Sequence, residues 1–124
     1  MRPGVTILRE GEFLVASVQG DLTDRQVLAL REDLAEQVGS YRARGVIVDV
    51  TALDVIDSFV ARSLCSIAEA TRLRGAETIV VGIQPDVAIA MVQFNLNLES
   101  LRTALDLDEA LSLLGEWTHQ NGIG

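Results

Sequence analysis

Three carboxylates and one hydroxyl, Asp49, Asp54, Asp57 and Ser58, fall within ten residues near the middle of this 124-residue chain. Carboxylates gathered at the end of a strand could hold a hard metal ion, or one of them could accept a phosphoryl group as in a receiver domain. A receiver also wants an acidic pair after an earlier strand and a Lys in a later loop. All 10 basic side chains here are Arg. The plainer reading is that Asp54 shapes a loop and Asp57 caps the helix that follows. Ser58 then falls at the first helical position. Asp and Ser open many helices with no further role. A phosphate would nevertheless be well accommodated there. First-turn N–H groups lack intrahelical partners and form the positive end of the helix dipole.

Other catalytic equipment is sparse. No glycine-rich phosphate loop, dinucleotide fingerprint or nucleophile elbow occurs. His119 is the single histidine and sits in a tail ending in glycine, a poor place for a general base. Cys65 is the single cysteine, so no intrachain disulfide can form and multi-cysteine zinc sites are excluded. Its apolar neighbours predict a core position. The chain reads as non-enzymatic, with no cofactor and no metal.

The elements that must position Ser58 follow from periodicity. Val5–Arg9 and Phe13–Val18 are β-rich runs split by Glu10-Gly11-Glu12, a hairpin pattern. Thr23 to Arg44 has helical spacing through Val27, Leu30, Leu34 and Val38, with Thr23 or Asp24 as cap and Gly45 marking the end. Gly45–Val50 and Thr78–Ile83 read as strands buried on both faces, joined by a helix from Asp57 to Arg74 with Val60, Leu64, Ile67 and Ala68 inward. That is a right-handed βαβ crossover. Gln84-Pro85-Asp86 opens another helix. Leu101–Ala104 is a short edge strand. A last helix runs from Asp106 to about Glu116 with Leu107, Leu111 and Leu114 inward, and Trp117 packs its end. The expected fold is α/β, with a mixed sheet of four to five strands and helices packed on it. It forms a single domain over 1–118 and a flexible tail over 119–124.

Four segments carry a family resemblance. Val48-Asp49-Val50 followed by Ile56-Asp57-Ser58-Phe59-Val60-Ala61-Arg62 resembles the phosphorylation segment of STAS domains, the bacterial anti-sigma-factor antagonists and their relatives. Asp21-Leu22-Thr23-Asp24-Arg25, Ala43 to Asp49, and Val81-Gly82-Ile83-Gln84-Pro85-Asp86-Val87-Ala88-Ile89 extend the likeness over nearly the whole chain. Within the family it is most similar to the RsbS-like scaffold subunits of the bacterial stressosome. The resemblance implies the SpoIIAA-like fold. It also implies a serine kinase of the RsbT type that binds the chain and phosphorylates Ser58. Phosphorylation then frees the kinase to act on sigma-factor or related regulation. Further implied partners are RsbR-type scaffold paralogues, an RsbX-type phosphatase that resets the serine, and other copies of the chain.

One departure sharpens the subgroup. Simple antagonists carry Gly directly after the serine and again two positions later, where this chain has Phe59 and Ala61. A bulky residue after the serine fits the scaffold subgroup. The helix after Gln84 offers no hydroxyl in Ile89-Ala90-Met91-Val92-Gln93, so one switch site is expected. The expected partner surface comprises Asp21, Asp24, Arg25, Asp54, Asp57, Phe59, Arg62, Gln84 and Pro85. Arg25 and Arg62 can meet either the partner or the phosphate, or remain solvated surface cations.

Bulk composition bounds the alternatives. Hydrophobic residues make up 48% and aromatics 4%, so Val, Ile, Leu and Ala must build the core. The net charge of −8 opposes nucleic acid and anionic lipid and favours protein partners, or serves solubility alone. Met1-Arg2-Pro3-Gly4 precedes no long apolar stretch, which predicts a cytoplasmic protein. A second reading is a STAS module binding a nucleotide or anion around Thr51–Ser58. A third, a carboxylate-based hydrolase, lacks a placed His or Lys.

Overall fold

A computed structural model describes residues 5–20, 22–53, 58–83 and 102–121, with side chains as far as Glu116. The elements are β1 (Val5–Glu10), β2 (Phe13–Gly20), α1 (Asp24–Tyr41), β3 (Gly45–Leu53), α2 (Ser58–Arg72), β4 (Glu77–Val81), β5 (Arg102–Ala104) and α3 (Leu107–Asn121). One five-stranded sheet has the order β1-β2-β3-β4-β5. The β1–β2 hairpin is antiparallel and the other neighbours are parallel. The expected helix beginning at Gln84 lies outside the described residues.

Side-chain alternation divides the sheet into two apolar faces. Leu14, Ala16 and Val18 of β2 and Val46, Val48 and Val50 of β3 turn to α1 and α2. Their neighbours Val15, Ile47, Ile79 and Val81 turn to Ala110 and Leu114 of α3. The stripe Val27, Leu30, Leu34 and Val38 of α1 is buried as its spacing predicts. So are Val60, Leu64, Ile67 and Ala68 of α2. Between α2 and β4, the Thr71 and Thr78 hydroxyls lie 2.5 Å apart in the interior, and Thr71 also donates toward helix carbonyls. That satisfies two polar groups at the only buried hydroxyl pair among the described residues.

Several boundaries differ from the sequence reading, each for a packing reason. Helix α1 stops at Tyr41, and Arg42 at φ 52 forms the left-handed cap. Gly45 instead opens β3. A Cβ there would sit 2.8 Å from both Leu114 methyls and 3.0 Å from the Phe13 ring, so glycine is needed for α3 to close on the sheet. Strand β3 continues past Val50 to Leu53, because Ala52 and Leu53 still pair with Gln19 and Gly20. Leu107 is exposed, and Ala110 takes the inward place expected for it. Helix α3 runs on to Asn121, so residues 119–121, expected in the tail, continue the helix. Cys65 is half-buried at the edge of the core, and burial, with Glu69 nearby, pushes its thiol pKa up.

Candidate switch site

Parallel pairing sends β2, β3 and β4 in one direction, so α1 and α2 both start at the same end of the sheet. The α1 start is described in full and the α2 start from Ser58 onward. At α1 the Thr23 hydroxyl accepts from the Gln26 N–H at 3.2 Å, and the Gln26 side chain accepts from the Thr23 N–H at 2.9 Å. This capping box uses the orphan donors of the first turn internally. At α2 the first helical residue is Ser58, half-buried, and its hydroxyl has no hydrogen-bond partner among the described residues.

Around Ser58 the surface mixes apolar and cationic groups. Phe59, directly after it, is 38% exposed although it is aromatic. Arg62 is exposed one turn later. On α1, Asp24 and Arg25 are exposed in the first turn, and Leu28 is 49% exposed one turn in. Arg31 of α1 donates to the Ser66 hydroxyl of α2 at 2.9 Å, which fastens the helices side by side. Leu28 precedes Arg31 by three residues and Arg62 precedes Ser66 by four, so both lie on the facing ridges one turn nearer the helix starts. The structure thus brings Asp24, Arg25, Ser58, Phe59 and Arg62 to one end of the molecule. Asp21, Asp54, Asp57, Gln84 and Pro85 lie outside the described residues.

The path toward Gln84 is nevertheless anchored. Directly after β4, Gly82 has φ 96, and a Cβ on it would approach within 2.7 Å of the Thr51 nitrogen and 2.8 Å of its Cα. Only glycine permits that conformation and that approach together. The chain leaving β4 therefore lies against the end of β3, the strand that leads to Ser58.

Asp49 has a structural task here. The β2–β3 register shifts between Ser17 and Gln19, which face Asp49 and Ala52. The extra residue on β3 frees a backbone donor, and the Asp49 carboxylate accepts the Thr51 N–H at 2.9 Å. Thr6, Ser17, Gln19, Asp49 and Thr51 line an open cavity of about 150 Å³ at this bulge. It opens on the face that carries Val15 and Ile47, away from α1 and α2. Among the described residues no three His, Cys, Asp or Glu side chains converge as metal ligands. No described helix is long and apolar enough to cross a membrane.

Sequence periodicity did not single out Leu28 or the Arg31–Ser66 bond. Leu28 stands beside Val27 but off the apolar stripe, and that was the available signal. The Gly82–Thr51 approach is hinted at only by a glycine closing an apolar strand. The polar cavity depends on cross-strand register, which no local pattern reveals.

Chemically, the site offers an acceptor hydroxyl beside an aromatic and a cationic contact. Comparisons with known proteins identify the family. The STAS domain model matches residues 5–110. The RsbT co-antagonist protein RsbRA of Bacillus subtilis is 28% identical over 104 residues, covering 84% of this chain and 38% of the relative. The chain thus spans well under half the length of that relative. A structure of Moorella thermoacetica RsbS S58E is 31% identical, with a TM-score of 0.79 over 93% of this chain and 97% of that one. A chain from the molecular architecture of the stressosome is also 31% identical, with a TM-score of 0.77 over 91% and 98%. The five-stranded mixed sheet, the helix opening at Ser58 and these likenesses together assign the chain to the STAS-domain family of signalling scaffolds.

Proposed function

We propose that the chain is a non-catalytic stressosome scaffold subunit that binds and sequesters an RsbT-type serine kinase and releases it when Ser58 is phosphorylated. It acts in the cytoplasm, upstream of sigma-factor or related regulation. The observation that carries this reading is the half-buried, uncommitted Ser58 hydroxyl at the first position of α2, beside the exposed Phe59 and Arg62. The hydroxyl oxygen takes the γ-phosphoryl group of ATP, the bond to ADP breaks, and the hydroxyl proton passes to the kinase. Phosphoserine adds about −1.5 to −2 charge at neutral pH. The α2 dipole favours that anion by only about 0.3–1 kcal/mol, so the backbone stays as it is and the surface changes.

Asp24, Arg25, Phe59 and Arg62 form the described part of the kinase-binding surface, with Asp21, Asp54, Asp57, Gln84 and Pro85 extending it. RsbR-type paralogues and further copies of the chain complete the assembly, and an RsbX-type phosphatase restores the serine. The names of the RsbT co-antagonist relatives and the stressosome chain support these partners. The test is to mix the protein with a candidate kinase and ATP and locate the phosphate by mass spectrometry. Phosphate on any residue but Ser58 defeats the reading.

A small-ligand module is the second reading, favoured by the cavity at the β2–β3 bulge. The Asp49 carboxylate in its lining opposes a nucleotide or other anion. Calorimetry with GTP, ATP and simple anions separates the two readings, heat of binding at micromolar affinity supporting the second.

A further inference from the structure

We infer that Arg62 is a positioning residue of the switch: once Ser58 carries phosphate, the Arg62 guanidinium folds back one helical turn, pairs with it, and is withdrawn from the bound partner. This rests on the reading of Ser58 as the phosphorylation site.

The helix geometry supports it directly. Ser58 and Arg62 are both within α2 and four residues apart, so they lie one above the other on one face. Side chains on a helix lean toward its N-terminus, which carries the long Arg62 side chain back over the Ser58 position. An anion placed N-terminal to a cation at this spacing is the more favourable order, and it also matches the helix dipole. A guanidinium can offer two parallel N–H groups to a phosphate.

The surrounding charges leave Arg62 as the available cation on this helix. It is exposed and makes no hydrogen bond or ion pair among the described residues. Arg31 is occupied by Ser66 at 2.9 Å. Arg72 lies at the far end of α2, 3.9 Å from Glu77. Arg25, on the first turn of α1, is the rival cation, and Asp24 beside it opposes the phosphate. Before phosphorylation the guanidinium, three residues along α2 from the exposed Phe59, is open to a carboxylate on the kinase. Afterwards that contact is lost, and a dianion faces the partner in its place. Release then has two parts: repulsion by the phosphate and removal of Arg62.

The test uses the full chain with phosphoserine installed at position 58 during synthesis, as the parent and as Arg62→Gln, Arg62→Lys and Arg25→Gln. A nearby cation stabilises the dianion and lowers the second phosphate pKa. Phosphorus NMR titration should place that pKa about 0.15–0.4 pH unit lower in the parent than in Arg62→Gln, with Arg62→Lys regaining most of the difference. Arg25→Gln should leave it unchanged. An identical pKa in the parent and Arg62→Gln overturns the inference, as does a shift that follows Arg25. With the kinase, unphosphorylated Arg62→Gln should bind about three- to tenfold more weakly than the parent, and phosphorylation should weaken this variant less than it weakens the parent. Equal phosphorylation penalties in the two proteins also overturn it. A kinase that ignores Ser58 would defeat the proposed function but leave the titration result standing, because the phosphate is installed without it.

Discussion

Two helices begin at the same end of this sheet, and the first described hydroxyl of each is engaged differently. Helix α1 closes its own N-terminus with the Thr23–Gln26 capping box. Helix α2 begins with a Ser58 hydroxyl that is committed to nothing among the described residues. Both follow parallel strands and both bury a full apolar stripe, so the difference does not come from the fold. A reciprocal cap satisfies donors and stiffens the entry to a helix. An uncommitted hydroxyl contributes little to stability and remains available to another protein. On the proposed function, the Thr23 hydroxyl serves stability and the Ser58 hydroxyl serves signalling.

Substitutions at matched positions can break that comparison. The largest effect is expected from Ser58→Ala, which should abolish phosphorylation by the kinase while leaving the melting temperature within about 2–3 °C, the shift expected from a change of about 0.5 kcal/mol. Retained phosphorylation would show that another hydroxyl is the acceptor. Next, Phe59→Ala should weaken kinase binding by about ten- to thirtyfold, as expected for an aromatic anchor at an interface. An unchanged dissociation constant in calorimetry would remove Phe59 from the interface. Thr23→Ala should act in the opposite sense. It should cost about 1 kcal/mol in urea unfolding through the lost cap and leave phosphorylation of Ser58 at the parental rate. The smallest effect is expected from Leu28→Ala. If the partner spans both helices, kinase affinity should fall about two- to fivefold with no change in stability, a rim-sized contribution. A fall as large as that of Phe59→Ala would mean that α1 takes an equal part in docking.

The glycines show how far local pattern carries. Gly45 looks like a helix end, because glycine commonly terminates helices. It is glycine because the Leu114 methyls, nearly seventy residues later, occupy the space a Cβ would need. Gly82 looks like the interior of a strand and is in fact the point where the chain turns against Thr51. Both constraints come from parts of the chain distant in sequence. The last helix shows the same limit. The spacing of Leu107, Leu111 and Leu114 is helical, but contact with the sheet selects Ala110 and Leu114 as the residues buried most completely.

The sequence by itself determined the order of the described elements, the apolar stripes of α1 and α2 and the position of Ser58 at a helix start. These depend on the 3.6-residue and two-residue periods of the backbone and on capping chemistry that acts over a single turn. Tertiary structure alone decided which groups stand around that serine. Strand direction put two helix starts at one end, the Arg31–Ser66 bond aligned Leu28 with Arg62, and cross-strand register opened the cavity beside Asp49. Contacts of that kind join residues tens of positions apart, and a local repeat along the chain carries no information about them.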